Sequence, residues 1–216
     1  MEINEVILLT DKLSAVKHFY TAELGLAVIK ASQNEISFAA GTSVLTFKQS
    51  AAAAYYHFAF NIVPGLFHQA HAWAQQRFKL LAFENNTIIH FPNWNANSLY
   101  FMDPSGNILE FIARYDLPSL HKNVFDTSCI LNIGEIGIVT DPVSATKQLL
   151  EDNFGLSVFH RQQPTEEFCP MGDDSGLLIV VTQHRNWFPT RLPCRPYPVK
   201  VKFTNNEGNS LLFSVH

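Results

Sequence analysis

The feature that most constrains the fold of this chain is an internal repeat at an offset of 130 residues. Residues 4–26 (NEVILLTDKLSAVKHFYTAELGL) and 134–156 (GEIGIVTDPVSATKQLLEDNFGL) align without a gap and agree at eight of 23 positions. The identical pairs are Glu5/Glu135, Thr10/Thr140, Asp11/Asp141, Ser14/Ser144, Ala15/Ala145, Lys17/Lys147, Gly25/Gly155 and Leu26/Leu156. Agreement on this scale indicates that one structural unit is used at least twice.

The repeated unit starts with an apolar strand candidate that ends at Asp11 or Asp141. An aspartate can accept hydrogen bonds from the first turn of a helix, and Pro142 suits that turn. We therefore expect a helix to begin at both aspartates and to end at Gly25 and Gly155, because glycine readily adopts the left-handed conformation of a helix terminus. Strand candidates follow the first helix at 26–31, 34–40 and 43–48, so the unit is predicted to be βαβββ.

A second unit is predicted from Tyr55 onward. It has a strand (YYHFAFNI), a Pro64-Gly65 helix start, a helix (LFHQAHAWAQQRF) and a closing hairpin joined by DPSG. Its later strand candidates lie near 79–83, 87–91, 98–103 and 107–113. In the C-terminal half, residues 203–215 match residues 101–113 at five positions, so a remnant of the closing hairpin is predicted there too.

These units define the predicted organisation. We expect a complete N-terminal domain of two βαβββ modules at 1–115, a linker at 116–130, and a degenerate C-terminal module with a remnant hairpin at 131–216. The predicted fold class is α+β, with paired βαβββ modules that form cupped mixed sheets.

Composition narrows the classes of function. The chain has 15 basic and 19 acidic residues and a formal charge of −4, so it lacks the positive charge on which nucleic-acid binding mainly depends. It contains no apolar run of about 18 residues, so membrane association is not expected. Its three cysteines are widely spaced and do not suggest a disulfide framework, which favours a reducing, cytoplasmic location.

Two segments together resemble the vicinal oxygen chelate superfamily, which includes glyoxalase I, bleomycin and fosfomycin resistance proteins and extradiol dioxygenases. They are NEVILLT leading into D…HFYTAELGL, and the hairpin SLYFMDPSGNILEF. The resemblance covers residues 1–115 well and 130–216 in part. It implies that two βαβββ units pair into a cupped sheet that holds a divalent metal, with ligands from the first and last strands of each unit.

Carried onto this sequence, the ligand positions of the family are Glu5, Thr46, His57 and Glu110. A histidine is usual where Glu5 stands, and Thr46 does not match the carboxylate expected in the last strand. The resemblance therefore implies that His57, Glu110 and Glu5 bind a divalent ion such as Mn, Fe, Ni or Zn. A loosely bound Glu5 is also the candidate catalytic residue for proton transfer.

The residues themselves partly support this assignment. Glu110 alternates with Ile108 and Ile112 in its strand, and a carboxylate on an apolar face is costly unless it is paired, protonated or bound to a metal. For Glu5 a structural role is the alternative, because its repeat partner Glu135 lies in a half where the other ligand positions are lost. His90 is expected to be a core residue, and the role of Tyr100 depends on a strand register that the sequence leaves open.

Three functional hypotheses follow. The first is a metal-dependent glyoxalase-like or dioxygenase-like enzyme acting on a small oxygen-rich or aromatic molecule in the N-terminal cup. The second is a metal-free protein that binds or sequesters a small molecule. The third is an interaction protein in which the C-terminal half mainly packs against the N-terminal cup. The expected partner is a small molecule, and the expected oligomeric state is a monomer or a homodimer.

Overall fold

The computed structural model describes residues 1–118 and 122–215. Within these ranges the chain forms thirteen strands and three α-helices, with short 3₁₀ and π turns between them. The strands are β1 (Glu2–Thr10), β2 (Val28–Ala31), β3 (Glu35–Ala40), β4 (Ser43–Gln49), β5 (His57–Ile62), β6 (Ile89–Phe91), β7 (Ala96–Met102), β8 (Ile108–Arg114), β9 (Ile130–Val139), β10 (Phe168–Asp173), β11 (Gly176–Val181), β12 (Val199–Thr204) and β13 (Ser210–Val215). The helices are α1 (Leu13–His18), α2 (Phe67–Gln75) and α3 (Val143–Phe154).

The repeated helices begin close to the predicted positions, but the expected aspartate caps do not form. The first turns of α1 and α3 have no side-chain cap, and the residues at the cap position are Lys12 and Pro142. The Asp141 carboxylate instead lies 3.2 Å from Nε2 of His184. Gly155 ends α3 in the left-handed conformation, with a φ angle of 64°, as predicted.

The strands form two mixed sheets, which confirms the predicted fold class. The six-stranded sheet has the order β13-β12-β1-β4-β3-β2, and the seven-stranded sheet has the order β10-β11-β9-β5-β8-β7-β6. Within each unit the first strand pairs in parallel with the last or a late strand, as in β1 with β4, β5 with β8 and β9 with β11. The sheets are completed by antiparallel pairing of β1 with β12 and of β5 with β9.

Each sheet therefore combines strands from both halves of the chain. The first unit pairs with the C-terminal hairpin β12–β13, and the second unit pairs with the third. The ranges 1–115 and 131–216 mark units of sequence, whereas the sheets run across them. This arrangement places β5, the strand that carries His57, between β8 and β9.

The main hydrophobic core fixes which face of β5 is available for a site. Phe58 and Phe60 are fully buried in that core, together with Phe47 of the other sheet and Leu150 of α3. Since side chains alternate along a strand, His57 and the residues in step with it point to the opposite face of the sheet. No helix in the described ranges is long and apolar enough to cross a lipid bilayer.

Candidate metal centre

Three polar side chains meet on the face of the seven-stranded sheet opposite the main core. Ala59 of β5 is the direct cross-strand partner of both Glu110 on β8 and Glu135 on β9. His57 lies two residues before Ala59 and so shares its face. One ligand atom from each of His57, Glu110 and Glu135 lies within 4.8 Å of the others. Because Ala59 is small, the space between the two carboxylates is not filled by a side chain.

The orientation of His57 is fixed by the backbone of β8. Its Nδ1 lies 3.1 Å from the carbonyl oxygen of Ile108, and a carbonyl can only accept, so Nδ1 carries the hydrogen. The free lone pair is then on Nε2, which lies 3.5 Å from a carboxylate oxygen of Glu110. Burial lowers the pKa of His57 to about 4, so the imidazole is neutral at physiological pH. Metal-binding histidines commonly have this arrangement.

Glu110 is almost completely buried, and burial raises its pKa to about 8. The nearby carboxylate of Glu135 contributes to this rise, since two negative charges close together disfavour ionisation. The hydroxyl groups of Ser98 and Tyr100 and the charge of Arg114 partly oppose this shift. Without a bound metal ion, Glu110 therefore holds a proton at neutral pH.

Glu135 is held by a buried arginine. Nη2 of Arg114 donates a hydrogen bond to Oε1 of Glu135, and Nη1 of Arg114 lies 3.7 Å from Oδ1 of Asp174. The guanidinium carbon lies 5.2 Å from the centre of the Trp94 ring. Burial raises the pKa of Glu135, and the positive charge of Arg114 counteracts that effect. Arg114 thus fixes the carboxylate that faces His57 and Glu110.

The three side chains open into a largely aromatic cavity of about 270 Å³, which is near the lower end of the range for small-molecule sites, about 300–1,000 Å³. Side chains from both halves of the chain line it. They are His57, Phe91, Trp94, Tyr100, Glu110, Ile112, Glu135, Gln162, Phe168, Ile179, Val181, Arg185, Trp187 and Phe188.

One wall of the cavity is a short hairpin at residues 185–194, between β11 and β12, which we call the capping hairpin. The amide of Cys194 donates to the carbonyl of Arg185, and the amide of Trp187 donates to the carbonyl of Leu192, each at 2.8 Å. The Trp187 ring lies 5.4 Å from the His57 ring. It packs directly over Gly137 of β9, where a Cβ atom would lie 2.3 Å from Cη2 of the indole.

No protein-family model matches the sequence, and no curated protein matches it. Solved structures do share its architecture. A candidate dioxygenase from Bacillus subtilis aligns over 99% of this chain and 84% of its own, with a TM-score of 0.64 and 16% identity. Glyoxalase I from Zea mays aligns over 84% of this chain and 66% of its own, with a TM-score of 0.55 and 12% identity. The chain shares the fold of these two proteins.

Within this fold, the structure brings together two of the three predicted ligands. His57 and Glu110 meet as expected, whereas Glu5 lies on β1 in the other sheet. The Glu5 carboxylate accepts hydrogen bonds from Thr46 at 2.7 Å and from Lys202 at 2.6 Å. An ion pair therefore occupies the position in the six-stranded sheet that corresponds to His57 in the seven-stranded one. The predicted ligand and proton-transfer roles of Glu5 do not fit this placement.

The third member of the site is Glu135, the repeat partner of Glu5. The vicinal oxygen chelate pattern places ligands in the first strand of each unit, so its application to the third unit would have found Glu135. From the sequence, Glu135 was expected to have a structural role, because the other ligand positions of the C-terminal half are lost. In the structure β9 pairs with β5, so Glu135 joins His57 and Glu110 instead of forming a separate group.

The structure also shows the positions of Tyr100 and His90. Tyr100 is buried directly across from Glu110 and lines the cavity. His90 is exposed on β6 and is not a core residue, and its Nδ1 lies 2.7 Å from the side-chain oxygen of Asn97. Arg114, Arg185 and Trp187 were missed by the sequence analysis, since no motif marks them.

Proposed function

We propose that this protein is a divalent-metal-dependent enzyme of the glyoxalase or dioxygenase type, acting on a small oxygen-rich or aromatic molecule. The proposed ligands are His57, Glu110 and Glu135, and the proposed substrate site is the cavity above them. The single observation that carries the proposal is the convergence of one ligand atom from each residue to within 4.8 Å.

The chemistry of the donors fits a divalent ion. One imidazole nitrogen and two carboxylates, without a thiolate, suit Mn, Fe or Ni, and Zn is also compatible. The His57 nitrogen that faces Glu110 is unprotonated and free to bind. When bound, such an ion supplies a Lewis acid that polarises a substrate oxygen or acidifies a bound water.

The residues of the chain then have separate roles. Arg114 positions Glu135, and the backbone of Ile108 positions His57. The aromatic walls exclude water from the reacting groups, which strengthens electrostatic interactions inside the cavity. Tyr100 places a hydroxyl group beside Glu110, where it can hold a proton close to a bound oxygen.

A second candidate function is metal-free binding of a small molecule. The observation that favours it is that the site can be uncharged at Glu110 and His57 without a cation. Burial raises the pKa of Glu110 to about 8 and lowers that of His57 to about 4, so both side chains are neutral at pH 7. A protonated Glu110 can then share its hydrogen with Nε2 of His57.

Metal content separates the two candidates. After reconstitution with Mn²⁺ and gel filtration, we expect the wild-type chain to retain about one ion, as one three-ligand site allows. His57→Ala, Glu110→Gln and Glu135→Gln should lose it, while Glu5→Gln serves as the matched control and should retain it. Inductively coupled plasma mass spectrometry measures the metal content, and circular dichroism checks folding.

Two outcomes would contradict the proposal. If Glu135→Gln retained the ion and Glu5→Gln lost it, the assignment of the third ligand would be reversed. Ligand-induced thermal shifts that a chelator leaves unchanged would favour metal-free binding.

We also propose that the protein acts in the cytoplasm as a monomer or homodimer. The three cysteines are free and buried, as expected in a reducing compartment. The first strands of the two N-terminal units, β1 and β5, are each already paired with a strand of the C-terminal half. Light scattering coupled to gel filtration measures the oligomeric state directly, and a trimer or larger assembly would contradict the proposal.

A further inference from the structure

Arg185 is a cationic side chain in the cavity wall that has no acidic partner within the described ranges. It is partly buried and lines the cavity, and its guanidinium carbon lies 5.0 Å from the centre of the Phe168 ring. In residues 1–118 and 122–215, no carboxylate lies within ion-pair distance of it and its guanidinium makes no hydrogen bond. A partly buried guanidinium without a counterion is available to form charge-assisted hydrogen bonds with an anionic ligand.

The capping hairpin fixes where this charge points. Arg185 and Trp187 are two residues apart on one arm of the hairpin, and both line the cavity. Trp187 contacts the His57 ring, and Arg185 lines the same cavity as His57, Glu110 and Glu135. The guanidinium therefore acts on the same space as the three converging side chains.

Among the charged groups of the site, Arg185 is the one whose formal charge has no partner in the described residues. A divalent ion would be neutralised by the carboxylates of Glu110 and Glu135. Arg114 is paired with both Glu135 and Asp174. Among the described residues that line the cavity, Arg185 is the positively charged side chain with no carboxylate within ion-pair distance, with or without a bound ion, and a ligand with one negative charge would pair with it.

We propose that Arg185 is the anion-binding residue of the cavity, and that the ligand is a flat ring bearing a carboxylate. The ring would lie against the aromatic side chains of Trp187 and Phe188 in the cavity wall, and the carboxylate would bind the guanidinium, whose planar fork matches carboxylate geometry. The proposal names the substrate class of the proposed function and shares its cavity. Recognition by Arg185 does not itself require the ion.

The test compares benzoate with benzamide. Benzamide has the same shape as benzoate but carries no charge, and it does not chelate free metal. Dissociation constants are measured by NMR titration on the full chain, both chelator-treated and loaded with Mn²⁺. The variants are Arg185→Gln, Arg185→Lys and the control Arg191→Gln, which removes an exposed arginine of the same hairpin. We expect the wild type to prefer benzoate by about ten- to a hundredfold, as for hydrogen bonds between charged groups. Arg185→Gln should abolish the preference, Arg185→Lys should keep part of it, and Arg191→Gln should keep it all.

Each other outcome overturns the proposal. The proposal is contradicted if the wild type binds the two probes equally well or does not bind benzoate. It is also contradicted if Arg185→Gln keeps the preference for benzoate, or if Arg191→Gln loses it as well. The metal content of the same samples keeps the two proposals apart. Charge-selective binding by a chain that retains no ion would support the Arg185 site and contradict the metal proposal, whereas retained metal with no charge selectivity would do the reverse.

Discussion

Glu110 and Glu135 face each other across the central strand β5, where both are cross-strand partners of Ala59. Two carboxylates separated by one alanine are a costly arrangement in a buried site, because each disfavours ionisation of the other. The chain offsets this by placing Arg114 on Glu135 and by leaving Glu110 with a pKa of about 8. A bound cation would therefore stabilise this pair of carboxylates.

The first prediction concerns the stability of the metal-free protein between pH 6.5 and about 8. The pKa of Glu110 is 4.5 in its unperturbed state and about 8 in the folded chain, so the folded state binds an extra proton in this window and loses stability as the pH rises. Glu135, whose pKa burial also raises, acts in the same direction. His57 has the opposite sign, but its window, from about 4 to 6.5, ends below this one. We expect a fall of about 2 kcal/mol in the free energy of unfolding.

Urea denaturation of chelator-treated protein at several pH values measures this fall. Glu110→Gln is the control, because glutamine does not titrate, and it should flatten most of the curve. A wild-type stability that rises with pH in this window would contradict the prediction, as would an equally steep fall in the variant.

The second prediction concerns the buried guanidinium of Arg114. Arg114→Met would leave the buried Glu135 without its cation and Asp174 with Arg161 alone, 4.0 Å away, and breaking a buried pair costs about 3–5 kcal/mol. The matched control is Lys30→Met, which removes the 65% exposed partner of Glu35, so the expected cost there is about 0–1 kcal/mol. Equilibrium urea unfolding gives both values, and similar costs for the two variants would show that Arg114 has no special role.

The third prediction concerns the contact between Gly137 and Trp187. A Cβ at residue 137 would lie 2.3 Å from the indole, so Gly137→Ala must displace the Trp187 ring from the cavity wall. We expect a loss of about 1–3 kcal/mol in the free energy of unfolding, as for overpacked cores. In a Trp187→Leu background the same substitution should cost much less, because the six-membered ring is gone. A double-mutant cycle measures the difference, and additive costs would show that the two residues do not interact.

The fourth prediction concerns the ion pair that Glu5 forms. Lys202 is 51% exposed in its side chain, so solvent screens its attraction to the Glu5 carboxylate. Glu5→Gln should therefore change the free energy of unfolding by only about 0–1 kcal/mol. Chemical denaturation at low and high salt measures the change. A loss comparable to that of Arg114→Met would mean that the Glu5 pair has a larger structural role.

Much of the fold follows from local sequence patterns. The repeat predicts α1 and α3, and the DPSG turn predicts the hairpin of β7 and β8, since glycine and proline positions act within a few residues. The aspartate caps did not form, and the predicted strand near 79–83 does not form a regular strand. Local propensity is a weak guide at such positions, where tertiary contacts decide the outcome.

Part of the candidate site could be predicted because two of its residues belong to a single unit. His57 and Glu110 belong to one unit, and β5 and β8 of that unit pair in parallel, so a single-unit pattern is enough to bring them together. Glu5 and Glu135 occupy equivalent positions of two other units, and the sequence gives no reason to choose between them. The choice depends on which units share a sheet.

By itself, the sequence determined the βαβββ unit, its repetition, and the presence of a histidine and a glutamate on one face of the second unit. Only the tertiary structure decided that the second unit pairs with the third, that Glu135 rather than Glu5 completes the group, and that Arg185 reaches the cavity from the capping hairpin. The physical reason is that periodicity and turn residues act within a unit. The pairing of strand edges from distant units instead depends on how all the apolar faces are buried together.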